Sequence, residues 1–195
     1  MNHRAEILTA CATIRAMLVD RVTPGCVEDL DALSPDDIVA AAGNLSVFHI
    51  DLPRCRHRIL FDLAVRFKLV EVRKSLETQE ADIDVILLVV FNKPTTAAHK
   101  SIGELKRDIQ IFTLGELQYN VTQHVLVPLH RAIRDEAEIR ELLRRFQLPD
   151  RYKMPLIPST DPVARYLALK PGQVVHITRA SPSCGVYVNY RCCMK

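Results

Sequence analysis

Tryptophan is absent from the 195 residues, glycine occurs only six times, and no apolar run approaches the length of a membrane span. Each scarcity excludes something. About 20 consecutive apolar residues are needed to cross a bilayer, so no membrane partner is expected. The few glycines are never grouped as G-x-G-x-x-G or G-x-x-x-x-G-K, so no phosphate-cradling nucleotide loop is present. There is no G-x-S-x-G elbow and no H-E-x-x-H helix. The first 21 residues, MNHRAEILTACATIRAMLVDR, place Glu6 and Arg15 among apolar positions and do not read as a secretory signal. An intracellular, soluble chain is expected.

The six cysteines (Cys11, Cys26, Cys55, Cys184, Cys192 and Cys193) are scattered, and none form C-x-x-C. Without an export signal they read as free, partly buried thiols rather than a disulfide framework. A zinc site from Cys184, Cys192 and a histidine has unfavourable spacing, and His124 and His130 are separated by a proline. Neither a metal nor a cofactor is expected.

Charge divides the chain. Residues 1–118 hold 14 Lys+Arg against 17 Asp+Glu, whereas residues 119–195 hold 12 against 6. The contrast suggests two units, 1–118 and 119–195, with different partners, the basic one suited to nucleic acid or an acidic surface.

The first unit reads as α/β. Apolar spacing predicts a helix over Ala5–Asp20, broken by Pro24-Gly25, and a short helix capped by Ser34. A strand is expected in Leu45–Leu52, a helix in FKLVEVRKSLE, and a strand buried on both faces in Ile83–Phe91. Thr95 or Thr96 caps a helix to about Arg107, and Ile109–Leu114 is a further strand. Arg54, Arg56 and Arg58 form a basic loop, with Lys93 and Lys100 about the turn after the central strand. Such residues suit phosphate contacts. A nuclease would need carboxylates to hold a divalent cation and a lysine to support the attacking water, and Asp51, Asp62, Glu71 and Lys74 are the candidates.

The second unit reads as α+β with a small mixed or antiparallel sheet. His124–Val127 is expected to be a strand ended by Pro128. Asp135 and Glu138 form a cap pair for a helix to Gln147, and Pro149–Thr160 is an extended polar connection. Asp161 and Pro162 start a short helix with Val163, Tyr166 and Leu167 on one face. Pro171-Gly172 fits a type II turn between it and two strands, Gln173–Arg179 and Val186–Cys192.

Three segments of this unit, NVTQHVLVPLH, EIRELLRRFQL and DPVARY running on to YVNYR, occur in order over about seventy residues. They resemble the small shared subunit of archaeal and eukaryotic-type RNA polymerases, which is the fifth-largest subunit in eukaryotes. The resemblance implies an assembly module that docks on the largest subunit. It also implies an N-terminal α/β jaw along downstream double-stranded DNA, since this chain looks like the longer, eukaryotic-type class. Thr95-Thr96-Ala97-Ala98 stands where the family has Thr-Pro-Ser-Ala.

The resemblance makes His124, Pro128, His130, Pro162, Arg165, Tyr166, Gly172 and Arg191 candidates for the subunit interface, with catalysis left to other chains. Arg54, Arg56, Arg58, Lys93 and Lys100 become candidates for weak, non-specific DNA contact. The nucleus is the expected location in a eukaryote, or the virion or host cytoplasm for a viral version. A stand-alone DNA-binding or nuclease module, and an interaction paralogue binding another protein, are the alternatives.

Overall fold

The computed structural model describes residues 3–21, 23–42, 47–64, 83–105, 107–183 and 185–195. They belong to two compact units, Met1–Tyr119 and Asn120–Lys195. Each is built on a mixed four-stranded sheet with helices.

In the first unit, helix α1 (Arg4–Asp20) buries Ile7, Ala10, Cys11, Ile14, Met17 and Leu18, a stripe at i, i+3, i+4 spacing, while the apolar residues Ala12 and Val19 face outward. Pro24 does not merely end this helix. It occupies the first turn of another, α2 (Pro24–Asp31), because proline's fixed φ and missing N–H suit that position. In α3 (Pro35–Ala42) the Asp37 N–H donates to Ser34 Oγ (3.1 Å), and the Ser34 N–H donates back to the Asp37 carboxylate (3.0 Å). This reciprocal pair satisfies donors that the first turn would otherwise leave unpaired.

Strands β1 (Val47–Leu52), β2 (His57–Asp62), β3 (Val85–Val90) and β4 (Asp108–Thr113) follow that order in the sheet. β1 pairs antiparallel with β2, while β2, β3 and β4 run parallel. The continuous apolar run of β3 is buried at every position after Val85, as an interior strand covered on both faces requires. The Thr95 hydroxyl caps α4 (Thr96–Gly103) by accepting from the Ala98 N–H at 3.3 Å; this helix ends short of Arg107. The helix expected in FKLVEVRKSLE, with Glu71 and Lys74, lies outside the described residues.

The second unit contains β5 (Leu129–Ile133), α5 (Glu136–Arg145), β6 (Leu156–Pro158), α6 (Pro162–Tyr166), β7 (Val174–Ser181) and β8 (Gly185–Met194). Sheet order is β5-β7-β8-β6, antiparallel except for β6 beside β8. Two expectations fail here. His124–Val127 is not a strand: the Val127 N–H closes a turn on the His124 carbonyl (2.8 Å), and pairing begins only beyond Pro128. Pro149–Thr160 is not wholly a connection, because β6 joins β8 through Leu156, Ile157 and Pro158.

Asp135 caps α5 by accepting from the Ala137 N–H at 2.8 Å, but Glu138 is no capping partner. Its carboxylate pairs with Arg131 at 2.7 Å, which stabilises it and holds its pKa below the ordinary glutamate value. Asp161 accepts from the Val163 and Ala164 N–H groups at the start of α6. The Gln173 N–H bonds the Lys170 carbonyl (3.0 Å) with Gly172 at φ +87°, the type II turn expected from Pro171-Gly172.

The cysteines depart in part from the reading as free thiols. Cys11, Cys192 and Cys193 are free and buried, but Cys26 and Cys55 are joined as a disulfide. Their separation of 29 residues leaves no local pattern to announce the pair. Among the described residues, no helix is long and apolar enough to cross a membrane.

Candidate functional site

The β5-β7-β8 sheet of the second unit has one face covered along only part of its length. Side chains alternate between faces, so Leu129, Arg131 and Ile133 of β5 share a side. The register places Ile133, Val174 and Cys192 in one row, Arg131, His176 and Tyr190 in the next, and Leu129, Thr178 and Val188 in the third. The first row is core, packed with Ile139, Leu142 and Met154. In the second, the rings of Phe146 and His176 lie 5.6 and 5.2 Å from that of Tyr190. The third row opens to solvent: Leu129 and Val188 are exposed on either side of half-buried Thr178, and Val186 extends the apolar surface towards the β7–β8 turn. Helix α5 therefore covers one end of this face and leaves the other bare.

The segment entering β5 adds to the bare surface. Val125 is 92% and Leu126 82% exposed, values that burial alone would not select. Polar groups hold the loop instead. Asn120 Oδ1 accepts from the Thr122 N–H (2.9 Å) and hydroxyl (2.7 Å), while its Nδ2 donates to the Tyr166 hydroxyl at 3.1 Å. His124 Nδ1 accepts from the Leu126 N–H at 3.2 Å, and His130 Nδ1 donates to the Pro128 carbonyl at 2.7 Å. Histidines and asparagine thus shape the loop while its valine and leucine point outward.

The interface candidates separate into two groups. His124, Pro128 and His130 belong to the loop and the start of strand β5, and the Asn120–Tyr166 bond fixes this region to α6, which begins at exposed Pro162. His130 also feels Asp161 and Arg191, and burial is the main cause that lowers its pKa. Arg191 donates to the Leu156 carbonyl (3.3 Å), and its Nε is buried without a hydrogen-bond acceptor among the described residues. Arg165 lies half-buried on α6. Gly172 is elsewhere: its N–H bonds the Cys193 carbonyl at 2.9 Å, beside the core row rather than the exposed one. Its place is architectural. Val125, Leu126, Leu129, Val186 and Val188 are not among the sequence candidates, because an apolar residue in or beside an expected strand carries no local sign of exposure.

The basic residues of the first unit form no single patch. The N-terminal ends of the parallel strands carry Arg54, paired with Glu28 and Asp29, and Arg56, paired with Asp84 at 2.9 Å. Lys93 follows the C-terminal end of β3 and approaches Glu116 at 3.6 Å. A six-residue strand separates the two ends by about 17 Å. Lys100 is exposed on α4. Arg58, read as part of the loop, lies in β2 and is only 5% exposed, with Nη2 2.8 Å from the Asp51 carboxylate. It is not placed to meet a phosphate.

The carboxylates fare no better as a cation site. Asp51 stands opposite Arg58 and Asp62 opposite Val47, four positions apart along the hairpin. That is about 13 Å, whereas paired metal ions sit only about 4 Å apart. Asp62 is buried and accepts from the Ala64 N–H at 3.1 Å.

Residues 119–193 match the family model for the C-terminal domain of RNA polymerase Rpb5. The match takes in almost the whole of the second unit. Relatives agree. The chain is 42% identical over 117 residues to the "DNA-directed RNA polymerases I, II, and III subunit RPABC1" of Caenorhabditis elegans, covering 59% of this chain and 54% of that protein. The protein of the same name from Caenorhabditis briggsae gives the same figures. That of Dictyostelium discoideum is 34% identical over 131 residues, covering 65% of this chain and 63% of its own. The chain spans about half the length of the nematode relatives. The resemblance to the shared fifth-largest polymerase subunit is borne out. All three sequence motifs fall inside the matched range.

Proposed function

We propose that this chain is a non-catalytic subunit of a multisubunit DNA-directed RNA polymerase, acting in the nucleus. Its C-terminal unit is the docking module, and the largest subunit is the partner. The observation that carries this reading is the apolar surface of Val125, Leu126, Leu129, Val186 and Val188, exposed within a domain of matching family. Apolar side chains held outward by a hydrogen-bonded loop gain stability when a partner removes them from water, at about 25 cal/mol per Å² buried. The excess of positive charge in residues 119–195 favours an acidic counterpart. The relatives come from eukaryotes, which favours the nucleus over a virion.

The first unit is the jaw in this reading, bordering downstream double-stranded DNA. The support is limited to exposed Lys93 and Lys100 near the C-terminal side of the parallel strands, a side where α/β sheets commonly meet ligands. Arg54 and Arg56 contribute less, since neighbouring carboxylates already compensate their charge.

Leu126→Asp, with the native complex purified through a tagged copy of the chain, tests the docking surface. An exposed aspartate leaves the isolated chain folded but sharply reduces recovery of the large polymerase subunits. Recovery equal to that of the unaltered chain would sink the assignment of this surface.

A further inference from the structure

Cys26, Cys55 and His57 come together although they lie on three elements. Cys26 is buried in α2, Cys55 ends a single 3-10 turn (Pro53–Cys55) after β1, and His57 begins β2. One ligand atom from each lies within 4.8 Å of the others. Two local features produce this convergence. Arg56 has a left-handed backbone (φ +57°), so the chain turns sharply between Cys55 and His57. Gly25 lets α2 approach, since a Cβ there would lie 3.1 Å from Arg54 Cβ. The Asp29 carboxylate then accepts from the Arg54 N–H at 2.8 Å and ties α2 to the turn.

We infer that, when reduced, Cys26, Cys55 and His57 form a binding site for a thiophilic divalent cation of the zinc class. Two thiolates and an imidazole are a donor set such cations favour, with Zn–S near 2.3 Å and Zn–N near 2.0–2.1 Å. The His57 tautomer is already chosen: its Nδ1 lies 2.6 Å from the Cys55 carbonyl, which can only accept, so Nδ1 is the donor. Nε2 therefore keeps its lone pair, and a carbonyl behind the other nitrogen is the usual support of a metal-bound histidine. Cys55 and His57 are half-buried, so a fourth position remains open to water or to a partner's side chain.

The disulfide and the cation exclude one another. A dithiol reductant gives two electrons and two protons to the Cys26–Cys55 bond, yielding two thiols while it becomes a disulfide itself. The cation then displaces both thiol protons to solvent and binds the thiolates. Reducing compartments keep such pairs as thiols, so the cation-binding form is the one expected inside a cell. The site does not depend on the polymerase reading.

The test is titration of the reduced full chain with Co²⁺ under inert gas, followed by displacement with Zn²⁺. The expected result is tetrahedral thiolate–cobalt absorption saturating at one equivalent, absent from the oxidised chain and lost in Cys55→Ser and His57→Gln. Should a variant fail to fold, zinc protection of Cys55 from alkylation in the unaltered reduced chain gives the same answer. No cobalt absorption, undiminished absorption in Cys55→Ser, or alkylation of Cys55 unaffected by zinc overturns the inference and leaves a structural disulfide only.

Discussion

Arg58 separates two roles that the sequence alone leaves together, because a cation serving DNA and a cation serving the fold respond differently to substitution. Its guanidinium is buried and donates through Nε and Nη2 to the carboxylate of Asp51, its cross-strand neighbour on β1. Removing one partner of a fully buried ion pair destabilises by about 3–5 kcal/mol, mainly because the other charge is left uncompensated. The Asp51 side chain keeps 34% of its exposure, so water offsets part of that loss and about 2–3 kcal/mol is expected for Asp51→Asn. Urea unfolding of the full chain measures this, with a double-mutant cycle against Arg58→Met isolating the pair. In the cycle, Asp51→Asn should cost far less once Arg58 is gone. Equal costs in both backgrounds, or a loss below about 0.5 kcal/mol in Asp51→Asn, the range of ordinary surface changes, would refute the assignment of Arg58 to the fold.

Other outcomes follow from single features. Gly172→Ala places a Cβ at φ +87° and 2.9 Å from the Tyr152 hydroxyl, so a loss of about 1–3 kcal/mol is expected in thermal or urea unfolding. Asp161→Ala removes the acceptor for two N–H groups at the start of α6 and should cost about 1 kcal/mol by the same assay. His130 and His176 both have pKa values lowered in the fold, burial being the first cause in each. The unfolded chain therefore binds more protons as pH falls through the ordinary histidine value of 6.5, and stability should fall with it. His130→Gln with His176→Gln should flatten that slope, as urea midpoints between pH 7.5 and about 5 would reveal.

What could be read from residue order was whatever local chemistry decides. The Asp161 cap, the Pro171-Gly172 turn, the buried run of β3 and the existence of α1 each depend on neighbours within a few positions. Three features did not yield for the opposite reason. β6 has only three residues, preceded by Pro155 and ending in Pro158, and its pairing with β8 is set from more than thirty positions away. Pro24-Gly25 reads equally as a helix breaker and a helix start, and only packing decides. Val125 and Leu126 fall in an expected strand, and nothing local announces their exposure; their outward placement depends on Asn120, His124 and Tyr166 shaping the loop. The DNA-facing candidates were hardest, since charge shows in sequence but its compensation by Glu28, Asp29, Asp51 and Asp84 does not.

The most direct measurement of the central claim is mass spectrometry of proteins that co-purify with the chain from its native cell at physiological salt. The account predicts the large subunits of a DNA-directed RNA polymerase in near-equal amounts with the chain. A chain recovered alone, or with partners that include no polymerase large subunit, would contradict it.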